Sequence, residues 1–105
     1  MARTIPAVQY INANRYRYDL CKGMYEFMKN YDVLIVPTFA GRQLAITNLT
    51  GNPVVCMPMG LNKNGNPQSI TLIGKLYDEA TILAAAKAFQ DKTSHNKLHP
   101  YKFMN

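Results

Sequence analysis

The chain has 105 residues, room for one small domain, and its 48% hydrophobic content excludes a disordered polymer. Charged residues make up 17%, below the roughly 25% usual for a soluble domain, so the composition fits a piece that expects to be covered by something else. The net charge of +6 points to nucleic acid only if it gathers on one face. It does not gather: Arg15, Asp19, Lys22, Glu26 and Lys29 alternate in sign at helical spacing, a self-neutralising exposed face, and the remaining excess sits mainly at Lys92, Lys97 and Lys102. No nucleic-acid partner is expected.

Residues 6–30 read as one long helix, with Pro6 in its first turn and Thr4 as a candidate cap. Tyr10, Ala13, Leu20, Met24, Phe27 and Tyr31 fall on one stripe, and Gly23 weakens the helix without breaking it. Residues 33–36, Val-Leu-Ile-Val closed by Pro37, predict a strand buried on both faces. The run ITNLTG predicts one or two helical turns ending at Gly51. PVVCMPMG repeats the apolar-then-proline design, with Pro58 and Gly60 ending the strand where the backbone gives way to a hairpin. Asn64-Gly65 is the strongest hairpin signal in the chain, and makes the next strand, about 68–75, antiparallel to the one before it. Asp78 then caps a helix to about Asp91, with Ile82, Leu83, Ala86 and Phe89 as its apolar stripe. Residues 93–105 carry no periodicity and read as a loose or docked tail.

This order predicts an α/β domain over 1–105: a mixed three-stranded sheet with packed helices, leaving two open edges. Cys21 and Cys56 make no disulfide framework, and two buried reduced thiols in a cytoplasmic protein are expected. No apolar run approaches the ~18 residues of a membrane span, and MARTIPAVQY has no signal-peptide core.

The chain reads D-V-L-I-V-P-T at 32–38, N-L-T-G-N-P-V-V-C-M-P-M-G at 48–60, I-T-L-I-G at 70–74, then a helix opening D-E-A-T-I-L. Over roughly residues 4–92 this resembles the C-terminal region of the amidase signature family, and Tyr10, Ala13 and Arg17 match that family's long helix. The resemblance implies part of an α/β/α fold and chemistry on carbon–nitrogen amide bonds. It also implies a gap. The family's nucleophilic serine, its second serine on a cis peptide and its lysine lie upstream of this region. Here Ser69 and Ser94 have no neighbouring serine and sit in no Gly/Ser-rich run, and no lysine matches the catalytic one. Thr71 stands where members often have Gln, and Ser69 where they often have Gly. Gly41, Arg42 and Gln43 lack the acid that amidotransferase members carry before their Asn-Leu-Ala-Gly, so a general amidase resemblance is the better one.

Candidate chemistry is thin. Cys56 is a candidate nucleophile set against a core cysteine within VVCM. His95 and His99 have the i, i+4 spacing of a metal pair but no accompanying carboxylate or thiol. Asn48-Leu49-Thr50 matches a glycosylation acceptor by chance, and Asp32 reads as a cap or a partner for a backbone amide. Met24, Met28 and Met57 read as core. The expectation is therefore no catalytic, cofactor or metal site within the chain. It is read as the C-terminal portion of an amide hydrolase, inactive alone; the alternative is a non-catalytic binding or structural module. Its expected partners are the missing N-terminal amidase portion or a second copy joined through open sheet edges.

Overall fold

The computed structural model describes residues 2–39 and 41–101. Helix α1 spans Ala7–Met28, strand β1 Val33–Pro37, helix α2 Gln43–Thr50, strand β2 Val54–Leu61, strand β3 Pro67–Gly74 and helix α3 Glu79–Lys92; short 3-10 turns cover Ala2–Thr4 and His95–Lys97. Of the expected tail, residues 102–105, including Lys102, lie outside the described residues.

The sheet has the order β1-β3-β2 and is antiparallel throughout. The sequence reading expects a mixed sheet, with parallel as well as antiparallel pairing, and the structure corrects it. β3 folds back from its hairpin into the space between β1 and β2 and pairs with both. The hairpin itself is as the Asn-Gly signal predicts. Gly65 takes φ 78°, its N–H bonds to the Asn62 carbonyl at 2.9 Å, and Asn62 Oδ1 accepts the backbone N–H groups of Asn64 and Asn66 at 2.9 and 3.0 Å. The β2 strand does not end at Pro58. It continues through a bulge between Pro58 and Gly60 to Leu61, since a bulge is where a sheet tolerates proline.

Burial departs from the sequence reading at both ends. As an edge strand β1 is not covered on both faces, and Ile35 is 64% exposed. On α1 the expected stripe faces the body only in part: Leu20 and Met24 are half-buried, but Tyr10, Phe27 and Tyr31 are exposed, and the buried side chain is Met28, which the stripe does not include. The helix N-cap is Pro6 rather than Thr4, with no side-chain cap bond. Among the described residues the buried apolar side chains are Met28, Met57, Leu72, Ile73 and Ile82, joined by Thr47, Thr50, Asn52 and Thr71. Leu83 of the expected α3 stripe is exposed. Asp78 holds the N-cap position of α3, but its carboxylate accepts the Thr81 hydroxyl at 2.8 Å instead of a backbone N–H.

Two contacts tie the helices down. Arg17 Nε of α1 donates to the Leu49 carbonyl at 2.7 Å, placing a cation at the carbonyl end of α2 where the helix dipole favours one. Below α3, a Cβ on Gly74 would lie 2.6 Å from Ile82 Cγ2, so the glycine is what lets this helix pack closely on β3. No helix among the described residues is long and apolar enough to cross a membrane.

Candidate functional site

Strand pairing collects the polar chemistry. Cys56 on β2 and Val36 on β1 both face Thr71 across the sheet, while Pro58 faces Ser69. These residues share one sheet face, because directly opposed residues point the same way. Thr38, just past β1, reaches the same patch. Its Oγ1 lies 2.7 Å from Ser69 Oγ, 3.4 Å from Cys56 Sγ, and accepts the Thr71 hydroxyl at 3.2 Å. Thr71 is buried and Cys56 is exposed, so the cluster runs from the interior to the surface.

The arrangement favours a thiolate. Thr71 donates its proton to Thr38, and the Thr38 and Ser69 hydroxyls are rotors that turn toward an anion when one forms. Hydrogen bonding from Thr38, then Ser69, with a smaller contribution from Thr71, pulls the Cys56 thiol below its ordinary range, against a slight opposing push from burial. The expected core cysteine is thus an exposed one: Met57 is buried and Val55 half-buried on one face of β2, and Cys56 between them points to the opposite face and is exposed. Cys21 is half-buried. No base completes a nucleophilic pair, since the partners of Cys56 among the described residues are hydroxyls. Replacing Thr38 with Val is expected to move the pH profile of Cys56 alkylation upward, because a lost donor destabilises the thiolate. Cys21 in the same sample, followed by peptide mass spectrometry after iodoacetamide, should not shift.

The other sequence candidates disperse. His95 sits in a 3-10 turn that ends at Lys97, so His95 and His99 are not on one helix face. The His95 ring packs near Phe89 at 6.0 Å, with its Nδ1 buried and unbonded. Among the described residues no group of three or more His, Cys, Asp and Glu side chains is placed to hold a metal. Asp32 pairs with Lys75 at 3.6 Å rather than with a backbone amide. Asn48 lies within α2 and Thr50 of the sequon is buried, its hydroxyl 2.6 Å from Asn52 Oδ1. The link from Thr38 to Ser69 is absent from the sequence expectations. A signal for part of it stands in QSITLIG, where Ser69 and Thr71 alternate with Ile70 and Leu72 and so must share a face.

No protein-family model matches the sequence. Among curated proteins it is similar to a glutamyl-tRNA(Gln) amidotransferase component (the one designated A) of Bacillus licheniformis, 33% identical over 110 positions, covering 87% of this chain and 22% of that protein. It is 36% identical over 86 positions to the same component of Bacillus cereus, covering 64% of this chain and 18% of that protein. It is 24% identical over 118 positions to a putative amidase, AmiD, of Mycobacterium bovis, covering 91% of this chain and 25% of that protein. The chain thus spans about a fifth to a quarter of the length of the curated relatives it matches, and those distant relatives are amidases and glutamyl-tRNA(Gln) amidotransferase components.

Proposed function

We propose that this chain is the C-terminal framework of an amidase-signature hydrolase domain, and that the serine–serine–lysine set acting on the amide bond is supplied from outside these 105 residues. The observation that carries the reading is the mismatch between similarity and coverage: most of the chain aligns with an amidotransferase component and with a putative amidase, yet it accounts for at most 25% of any of these three relatives. The surface agrees with this. Ile35 and Phe39 are 64% and 87% exposed at the β1 edge, which has no partner strand among the described residues. Apolar edges of this kind are ordinarily covered. In this reading the Thr38–Cys56–Ser69–Thr71 face is a hydrogen-bonding wall of the substrate pocket, not its reactive centre, and the partner is the remaining amidase portion in the cytoplasm.

The test is direct. The purified chain, incubated with glutamine or a simple primary amide, is expected to release ammonia no faster than a heat-denatured control, and to resist labelling by a fluorophosphonate serine probe. Ammonia release that survives repeated purification overturns the framework reading. The second reading, a binding module that self-associates, draws on the uncharged Val33–Pro37 edge. It predicts a concentration-dependent dimer by light scattering that Ile35→Lys abolishes.

A further inference from the structure

A second site lies away from the hydroxyl face. The last turns of α1, the Gly51–Asn52 turn and the strap from β3 to α3 enclose a cavity of about 260 Å³, lined by Tyr25, Met28, Lys29, Asn52, Lys75 and Leu76. A neighbouring cleft shares Tyr25 and Leu76 and adds Cys21, Lys22 and Glu26. The strap is held in an uncommon conformation. Tyr77 takes φ 62° without being glycine and is 92% exposed, so its side chain contributes little to packing. Such a backbone persists only where its surroundings over-determine it, and it is a recurrent feature of ligand sites. Its neighbour Leu76 sits 4.0 Å from where a Cβ on Gly51 would be, closing one side of the cavity.

The lining is apolar at Met28, Leu76 and the Tyr25 ring, and cationic at the rim. Lys29 Nζ stands 5.0 Å from the centre of the Tyr25 ring and 2.9 Å from Glu26 Oε1; that hydrogen bond raises its pKa, so it stays an ammonium. Lys75 Nζ lies 3.6 Å from Asp32 Oδ1, a loose pair whose carboxylate is 87% exposed. Ion pairs this open are weak and exchangeable. The Asn52 side chain, by contrast, is held in place, its Nδ2 donating to the Gly74 carbonyl and its Oδ1 accepting the Thr50 hydroxyl.

We propose that this cavity binds a small carboxylate with a compact apolar body, its ring or short chain against Met28, Leu76 and Tyr25 and its charge between Lys29 and Lys75. The volume suits a single ring with a short side group rather than a larger ligand. A neutral molecule of the same shape fills the apolar floor but leaves both ammonium groups to their exposed partners, so the site discriminates by charge. This inference is independent of whether the chain belongs to a larger amidase domain.

The probes are benzoate and, as a neutral molecule of similar shape, benzyl alcohol, titrated into isotopically labelled full-length chain and followed by NMR chemical shifts. Benzoate is expected to bind about tenfold more tightly, the ratio carried by one charge-assisted hydrogen bond, with the largest shifts at Tyr25, Lys29, Lys75 and Leu76. The double substitution Lys29→Ala with Lys75→Ala, at exposed or half-exposed positions that leave the core intact, should remove that preference while the dispersion of the spectrum stays native. Equal binding of the two probes, shifts centred elsewhere, no saturable binding, or an undiminished preference in the double variant overturns the proposal.

Discussion

Ile73→Ala is expected to be the most damaging single truncation, costing about 2–5 kcal/mol in urea unfolding. Ile73 is 0% exposed and sits on the middle strand, opposite Leu34 of β1 and Val54 of β2. Its side chain is therefore gripped from both flanking strands, and the sheet, fixed by pairing on each side, has little freedom to collapse onto the void. The loss is large relative to the whole. A domain of this size holds about 5–15 kcal/mol in total, and here the described apolar core is Met28, Met57, Leu72, Ile73 and Ile82. Leu83→Ala removes a side chain of like size from α3 but from a position 56% exposed, and is expected to change stability by no more than about 0.5 kcal/mol. If the two substitutions cost the same, the assignment of the core is wrong.

Ile73 and Leu83 also show where the sequence speaks and where it does not. Both stand in apolar runs, and nothing local separates them. Element existence is legible because it rests on local pattern: the 3.6 period of residues 79–92, the two Val-rich runs and the Asn64-Gly65 turn each give the expected kind of element, even though β2 runs on past Pro58 to Leu61. Strand order is not legible. Whether β3 lies between β1 and β2 depends on the handedness of the α2 connection and on which edges remain free, and both are long-range properties. The mistaken burial of β1 has a related cause: an unbroken Val-Leu-Ile-Val run reads as covered on both faces, but coverage depends on what packs there, and the face that carries Ile35 is left in solvent. The α1 stripe fails for a different reason. Tyr10, Phe27 and Tyr31 are apolar by count yet exposed, because the element α1 chiefly meets is the short helix α2, reached through Arg17, and not a full sheet face.

The site shows the same division. Each of Thr38, Cys56, Ser69 and Thr71 is an isolated polar residue in an apolar strand or beside one, and read singly each has a bland explanation. Register converts them into a connected group. Ser69 and Thr71 are brought together by the two-residue period, Cys56 by the β2–β3 pairing opposite Thr71, and Thr38 by the β1–β3 pairing carried one residue beyond Pro37. Only the first of these is visible without knowing which strands are neighbours.

Substitution of Asn52 is expected to give the second large effect, and a pH dependence that identifies its cause. Asn52 lies in the turn between α2 and β2, and its Nδ2 donates to the Gly74 carbonyl at 2.9 Å while the Gly74 N–H donates to the Pro53 carbonyl, also at 2.9 Å. Two consecutive residues thus clamp both backbone groups of the last residue of β3. Asn52→Leu keeps the bulk and leaves the Gly74 carbonyl buried without that donor, a loss of about 1–3 kcal/mol. The Thr50 hydroxyl is not stranded, because it also lies 3.0 Å from the Ile46 carbonyl, so the cost falls on Gly74 alone and does not vary with pH. Asn52→Asp behaves otherwise. Well below about pH 4 the new carboxyl is protonated in both folded and unfolded chains and its O–H can serve the Gly74 carbonyl. At higher pH the unfolded chain ionises first, while burial against a carbonyl oxygen raises the folded-state pKa, so the unfolded state binds fewer protons and stability falls as pH rises, levelling off once the folded-state pKa is passed. Urea unfolding of both variants against the parent chain, at intervals from pH 3 to pH 8, separates the two cases. A flat difference for Asn52→Asp would mean that this side chain is not buried against the carbonyl, and the clamp at Gly74 would have to be abandoned.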